Sequence, residues 1–478
     1  MSGVAVSLLV VALLGGGGPH PPRPSQSSAA SGDGGWPESR EAGSLAGASA
    51  VERRLVLMGT EAEVRVVARD RVAALAASEA AVRALEAAEA RLSTWSEESE
   101  LARLNRGPVG EPVALSPLLA AELAAAEACR RETGGAFDAG VGPLVDAWGL
   151  RTGGRLPQPR ELAAARAASG GHGLELREDR TAVRRRPGLR IEEGGFGKGA
   201  ALDAALAAAA AVPGVEGVWI DLGGQIVALP GGRLAAPTPG AFTGSAGTER
   251  RDERPVDSRQ VVGEELVSSR VEVEAAIAHP ADRDRPLMAL DLAIAHPADR
   301  DRPLVALELD PSAGGSVATS GNNERGITVA GERRSHLLDP RTGEPAPDFG
   351  SLTVWAPTAL RADCLSTGLY VLGPEAALAW AAAHPGVEVV VLRSERGPGD
   401  ARAGAVEVLA TPGLEGRLRV VGAESVTAFS FGLDSTPGVV PGNEERRGAG
   451  ASDAVEAGRA RRPPGPWSPR WRAAAARP

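Results

Sequence analysis

Asp363 and Thr367 stand four positions apart in Ala362-Asp363-Cys364-Leu365-Ser366-Thr367, a spacing that places a carboxylate and a hydroxyl on one face of a helix. That pair suits a hard cation that keeps part of its water and borrows phosphate oxygens. Taken alone, it is more often a surface aspartate beside a core threonine. A second candidate is Lys198, the only lysine among 52 Lys and Arg residues. It lies in Gly194-Gly195-Phe196-Gly197-Lys198-Gly199, where the lack of side chains lets backbone approach a ligand closely. A compact ammonium at such a place is not interchangeable with the planar fork of arginine. The third is His336, within Ser335-His336-Leu337-Leu338-Asp339-Pro340-Arg341-Thr342-Gly343. A lone histidine is commonly a hydrogen-bonded structural residue; its alternative use is general acid/base work.

Composition narrows the chemistry. The chain has 478 residues, net charge -9 and 3% aromatic residues. It therefore lacks the positive charge that nucleic-acid binding by phosphate neutralisation demands, and the aromatic platforms that stack bases. Two cysteines, Cys129 and Cys364, stand far apart in sequence, which argues against a zinc site or a disulfide framework. The six histidines show no metal-ligand spacing, so oxygen-ligated magnesium or calcium is the metal to expect.

The elements that must carry these residues are legible in outline. Val4 to Leu14 is an apolar run too short to cross a bilayer, and it fits the hydrophobic part of an export signal, although no basic residue precedes it. No cysteine follows it to take a lipid anchor. We expect a signal-like segment and linker over 1–50, a folded region over 51–433 and a disordered tail over 434–478. Within the folded region, Glu61 to Val67 alternates as a half-buried strand does. Asp70 caps a helix reaching Leu92 with Val72, Leu75, Val82, Leu85 and Leu92 on its apolar stripe. Ser116-Pro117 starts another that stops before Gly134-Gly135. Val218 to Leu222 and Glu388 to Leu392 read as buried strands. Residues 231–270 lack periodicity and read as a disordered insertion. Inside 276–304 a twelve-residue segment occurs twice, at Ala276 to Leu287 and Ala293 to Leu304. Two copies are too few for a solenoid, and the second, which leads into a strand-like run, is expected to hold the native position.

Five segments share an order: Met58-Gly59-Thr60; Thr133-Gly134-Gly135-Ala136-Phe137-Asp138, followed by Trp148-Gly149; the lysine loop with Asp203 after it; Thr319-Ser320-Gly321 through Glu324-Arg325 to Ser335 and the following residues; and Ala362 to Thr367. In wording and order this chain resembles the ApbE family, the FAD:protein FMN transferases, across about Leu57 to Leu372. The resemblance implies an α+β fold of mixed, largely antiparallel sheets flanked by helices, with FAD in a cleft between two lobes. It implies Mg²⁺ held by Asp363, Thr367 and the Gly197 carbonyl, and it puts the FAD pyrophosphate at the loop of Lys198. Met58, Ser99, Asn105, Ala136, Phe137, Asp138, Asp203, Thr319, Ser320 and Gly321 match the family's cofactor-binding phrases; a helix cap is the plain alternative for Ser99 and for Asn105. His336 would serve catalysis as acid or base, on a turn formed by Asp339 to Gly343. Three positions depart from the pattern: Gly197 for alanine, Glu192-Glu193 for D-L, and Gln225 for an aspartate. Trp95, Trp148, Trp219 and Trp355 read as core or pocket wall.

The implied reaction is Mg²⁺-dependent transfer of FMN from FAD to a Thr or Ser hydroxyl of a target protein, with AMP leaving. The target would be an electron-transfer protein, such as a membrane-bound subunit, met on the periplasmic or cell-envelope side. Thr243 to Thr248 is only a loose echo of an acceptor sequence. Hydrolysis of FAD to FMN and AMP, and flavin binding without catalysis, stay open as alternatives.

Overall fold

The computed structural model describes residues 48–229, 272–274, 290–309, 315–322, 326–329, 331–394, 405–423 and 425–432. The expected leader, the tail, the insertion and the first repeat copy lie outside these residues, as do Glu324 and Arg325.

The frame is a nine-stranded sheet whose spatial order follows chain order: Ser49–Leu57, Thr60–Ala68, Val215–Leu222, Gln225–Leu229, Gly315–Gly321, Gly350–Ala356, Glu388–Ser394, Val406–Ala410 and Val426–Phe431. Every neighbouring pair is antiparallel except the last. The expected strand at 61–67 is the second. A strand at Ser49–Leu57 precedes it, with side chains alternating between half-buried and exposed until Leu57. Its charged residues, Glu52, Arg53 and Arg54, hide the alternation in the sequence.

Helices cover one face. α1 (Arg71–Leu92), capped by Asp70 as the sequence indicates, and α6 (Gly197–Ala210) pack over the first four strands. The expected stripe of α1 needs correction: Val72 and Leu75 are 78% and 39% exposed, and the buried face is Ala73, Ala74, Ala77, Ala81, Leu85, Ala88 and Leu92. Mostly alanine, that stripe lets α1 approach α6 closely but gives little hydrophobic contrast in sequence. α7 (Ala359–Leu372) and α8 (Pro374–Ala382) cover the middle strands through Leu365, Leu369 and Leu378 against Leu352, Val354 and Val391.

The opposite face is closed by a four-stranded sheet, in the order Leu418–Val420, Asp299–Leu309, Leu290–His296 and Glu272–Glu274. The second repeat copy forms its central hairpin and buries Ile294 and Leu304 beneath the main sheet. α2 (Glu100–Arg106), α3 (Pro117–Glu132) and a small sheet of Pro112–Ala114, Thr181–Arg184 and Leu174–Leu176 form the remaining wall. The described strands and helices belong to one compact unit.

One buried ion pair joins α1 to α3. Arg91 Nη2 lies 2.6 Å from Glu122 Oε1 and Arg91 Nε 3.0 Å from Oε2, with both side chains 9% exposed. Burial pushes the Glu122 carboxyl up from its ordinary value, and Arg91 opposes that. Removing one partner strands a buried charge. Arg91→Ala is therefore expected to cost about 3 kcal/mol, measured as a lower chemical-denaturation midpoint, whereas Arg83→Ala, whose pair with Glu79 is exposed, shifts it by less than about 1 kcal/mol.

Candidate active site

The site is built where two helices meet end to end. α6 opens at Gly197, so Lys198 sits in the first turn of a helix rather than in the loop before it. No side chain of its N-cap residue Phe196 closes that turn. Instead the Gly199 N–H donates to Asp363 Oδ2 at 3.0 Å, reaching across to α7. α7 is treated in the same way by α6: Ala359 N–H and Leu360 N–H donate to the two oxygens of Asp203 at 2.7 and 2.9 Å. Each helix thus lends an aspartate to the other's first turn, where an anion meets unpaired N–H groups and the positive end of the helix dipole.

The glycines divide by role. A Cβ on Gly199 would stand 2.5 Å from Leu360 Cα and closer still to the Ala359 carbonyl, so only glycine lets the helices meet. A Cβ on Gly195 would press on Phe137 at 3.0 Å, with Thr367 Oγ1 at 3.5 Å. One on Gly197 would touch Glu193 at 3.0 Å and Met58 Cε at 3.5 Å. Gly194 has open space. Met58, Phe137, Lys198, Asp363 and Thr367 are thereby brought to one locus. Met58 takes φ +50° at its hairpin turn, and its N–H donates to Glu89 Oε1 at 2.8 Å. Such a conformation is uncommon outside glycine.

Asp363 is almost fully buried, and desolvation raises its carboxyl above the ordinary range; Lys198 and the Gly199 N–H pull the other way. Burial also raises Asp203, against its two backbone donors. Buried carboxylate, threonine hydroxyl and backbone carbonyl are hard oxygen donors. A magnesium ion fits that set, since it would supply the positive charge that burial of Asp363 demands. Among the described residues no cluster of three His, Cys, Asp or Glu offers a rival metal site.

Other matched residues act on this locus at one remove. Ser99 Oγ caps α2 through Ala102 N–H at 2.9 Å, and the Asn105 amide exchanges two hydrogen bonds with Ile191 backbone, fixing the entry to the lysine segment. Asp138 turns its carboxylate to Gly140 and Gly171 N–H, both at 2.7 Å, and burial raises it. Ala136 is buried beside α7, in the cluster of Leu365 and Leu369. Thr319 Oγ1 pairs with Thr353 Oγ1 and Ser320 Oγ with Ser366 Oγ, each at 2.9 Å, which ties the strand ending at Gly321 to its neighbour and to α7. His336 is half-buried on a segment held by its neighbour: Ser335 Oγ donates to Asn322 Oδ1 and accepts from Leu337 N–H, while Asn322 Nδ2 donates to Tyr370 of α7 at 2.9 Å. Asp339 to Gly343 is a tight turn in which the Asp339 carboxylate takes the Arg341 backbone and guanidinium, and Trp148 Nε1 donates to the Gly343 carbonyl.

The departures from the family pattern find partners. Glu193 accepts from Thr94 N–H and Oγ1, and Glu192 Oε2 lies 2.5 Å from Arg151 Nη2, which also reaches Thr94 Oγ1. The guanidinium of Arg151 lies 4.6 Å over the Trp95 ring. Trp95 is 66% exposed, which excludes the core half of its reading as core or pocket wall; Trp148 and Trp219 are buried. Gln225 Nε2 donates to the Ala359 carbonyl at 2.8 Å, a bond an aspartate could not make. Sequence reading passed over Arg151, Thr94, Glu89, Asn322 and Tyr370, because their partners are distant in the chain. Tyr370, the only tyrosine and one turn past Thr367, was the one visible hint.

A family model described as the ApbE family matches residues 58–237 and 275–391. The chain belongs to the ApbE family. A relative from Klebsiella pneumoniae (strain 342), named FAD:protein FMN transferase, is 29% identical over 327 residues, 67% of this chain and 78% of its own length. One of the same name from Vibrio cholerae is 28% identical over 320 residues, 66% and 79% of the two chains. In fold the chain is similar to the apo flavinyl transferase ApbE of Pseudomonas stutzeri, at 22% identity and TM-score 0.58, covering 78% of this chain and 98% of that one. It is likewise similar to the flavin transferase ApbE of Vibrio cholerae, at 24% identity and TM-score 0.56, covering 77% and 99%. The α+β architecture is that of the ApbE structures.

Two measurements test the helix junction. Gly199→Ala is expected to cost about 2 kcal/mol or more because backbone, not a side chain, must yield, while Gly194→Ala stays within about 0.5 kcal/mol; thermal unfolding compares them. The second concerns pH. A carboxyl that binds its proton more tightly when folded favours the folded state at low pH, and that advantage is lost as pH rises from the unfolded value, 3.8, through the raised one. Metal-free Asp363→Asn should therefore melt above the wild type at about pH 7, with the gap closing towards about pH 4. A constant gap across that range would count against the assignment.

Proposed function

We propose that this ApbE-family chain transfers FMN from FAD to a threonine or serine hydroxyl of a second protein and releases AMP. The hydroxyl attacks the phosphorus on the FMN side of the pyrophosphate, a P–O bond forms to the acceptor, and the bond to the AMP phosphate breaks. Phosphoryl transfer of this kind depends on positioning and charge neutralisation more than on covalent help from the protein. The observation that carries the reading is the meeting of Lys198, the first turn of α6 and the buried Asp363 carboxylate at one point.

Each residue has a defined task there. The Lys198 ammonium binds pyrophosphate oxygens, while the first-turn N–H groups of α6 are held by the Glu193 carbonyl and Asp363. Asp363, Thr367 and the Gly197 carbonyl hold Mg²⁺, which when bound adds positive charge beside the phosphates. Met58 and Phe137 wall the locus. His336, held through Ser335, Asn322 and Tyr370, takes the acceptor's proton or protonates the leaving phosphate. Arg151 neutralises Glu192 and so keeps a carboxylate pair from repelling the substrate. Export to the cell envelope, where an electron-transfer protein would supply the acceptor, accords with the apolar run of Val4 to Leu14.

Mass spectrometry after mixing the chain with FAD, Mg²⁺ and a target domain tests this directly. The expected result is an FMN-sized increase on the target with AMP in solution; free FMN with an unmodified target would identify a hydrolase instead. Asp363→Ala should lower transfer by at least about 10³-fold and Lys198→Arg by about 10²-fold. Full activity of either variant in Mg²⁺ would sink its assigned role.

A further inference from the structure

His336 stands in a short stretch between the strand Glu332–Arg334 and the turn at Asp339, and a buried file of polar side chains fixes that stretch. Ser335 Oγ, next to the histidine, donates to Asn322 Oδ1 and accepts from the N–H of Leu337 at 2.9 Å, so it grips the chain on both sides of His336. Asn322 Nδ2 donates to the Tyr370 hydroxyl at 2.9 Å, and that hydroxyl donates to Asp348 Oδ1 at 3.4 Å. Ser335, Asn322 and Tyr370 are all buried, and the tyrosine ring is stacked on Phe349. Each group donates to the next, and the file ends on a carboxylate.

The register of the file is set from α7. Asn322 follows the strand Gly315–Gly321 and comes two residues after Ser320, the spacing that returns a side chain to the same face. Ser320 bonds Ser366 and Asn322 bonds Tyr370, residues four apart and so on one face of α7. Thr367 lies between these two rungs in the sequence, and Asp363 precedes the first. Polar side chains buried in this way are costly unless each is paired. Packing alone asks only for a ring at 370, since phenylalanine would keep the contact with Phe349. The hydroxyl therefore serves the connection to Asn322.

We propose that Tyr370 is a positioning residue for the transfer. Its hydroxyl, acting through Asn322 and Ser335, sets the place of His336 relative to the candidate metal ligands carried by the tyrosine's own helix. The proposal rests on the FMN-transfer reading, in which His336 moves the proton. Loss of the hydroxyl should slow turnover and leave FAD binding alone, because Lys198, Asp363 and Thr367 do not belong to the file. A displacement of about 1 Å in a reacting group is enough to cost up to about 10²-fold in rate.

The full chain carrying Tyr370→Phe tests this in two ways. Amide hydrogen exchange reads the hold directly: the Leu337 N–H should exchange about fivefold faster than in the wild type, as expected for one lost hydrogen bond, with the amides of Gly315–Gly321 unchanged. Unchanged exchange at Leu337 overturns the proposal, whatever the activity. Steady-state transfer of FMN to a target domain reads the consequence: kcat should fall about tenfold with KM for FAD within about twofold, and in a His336→Ala background the same substitution should lower the residual rate no further. An undiminished kcat, or a loss that persists without His336, overturns the positioning role. Should Tyr370→Phe fail to fold, Asn322→Ala cuts the file one step nearer the histidine and must give the same two results. A wild type that modifies no target sinks the transferase reading, and the exchange measurement still decides whether Tyr370 holds the histidine segment.

Discussion

The exchange of aspartates between two helix ends is the interaction on which the rest of this structure depends. Asp203 from α6 closes the first turn of α7, and Asp363 from α7 closes the first turn of α6. α6 has no side-chain cap of its own and takes Asp363 instead, whereas α7 adds Asp203 to its own cap, Thr358. The arrangement requires glycine at 199 and sets the position of Lys198, Thr367 and the glycine-rich approach at once. It is also costly, because Asp363 is buried and Asp203 half-buried, and burial raises both carboxyls above their ordinary value. What the junction leaves for a phosphate is the Lys198 ammonium, since the aspartates themselves take the N–H groups of the two first turns.

The nine-stranded sheet serves that junction. Its first four strands seat α6 through Ala201, Leu202, Ala205 and Ala209, and its middle strands seat α7 through Leu365 and Leu369. Hydrogen bonds then connect the outlying motifs to the helices. Ser320 reaches Ser366, Asn322 reaches Tyr370, and Gln225 holds the Ala359 carbonyl. Several residues that look like ligand contacts in sequence are the means by which distant strands find α7.

What could be read from sequence follows from the range of each interaction. Local signals were sound: the caps at Asp70 and Ser116, the strands at 218–222 and 388–392, and the side-by-side placement of Asp363 and Thr367 on a helix. The apolar stripe of α1 was misplaced because alanine, the residue that packs there, scarcely differs from its surroundings in hydrophobicity, and so larger Val72 and Leu75 misled. The first strand was missed because Arg53 on its half-buried face and Val56 on its exposed face break the alternation. Partnerships between distant segments, such as Asn322 with Tyr370 or Arg151 with Glu192, leave no spacing to detect. The motif order survived because it reflects chemistry, and chemistry fixes residue types even where the intervening chain varies.

Trp95 has a further significance. It stands exposed at the rim, its ring under the Arg151 guanidinium, and its neighbour Thr94 is bonded to Glu193, which leads into α6. Indole emission responds to a nearby cation and to contact with water. Any rearrangement of this rim would therefore register as a change in the protein's own fluorescence, giving the site an optical reporter that needs no label.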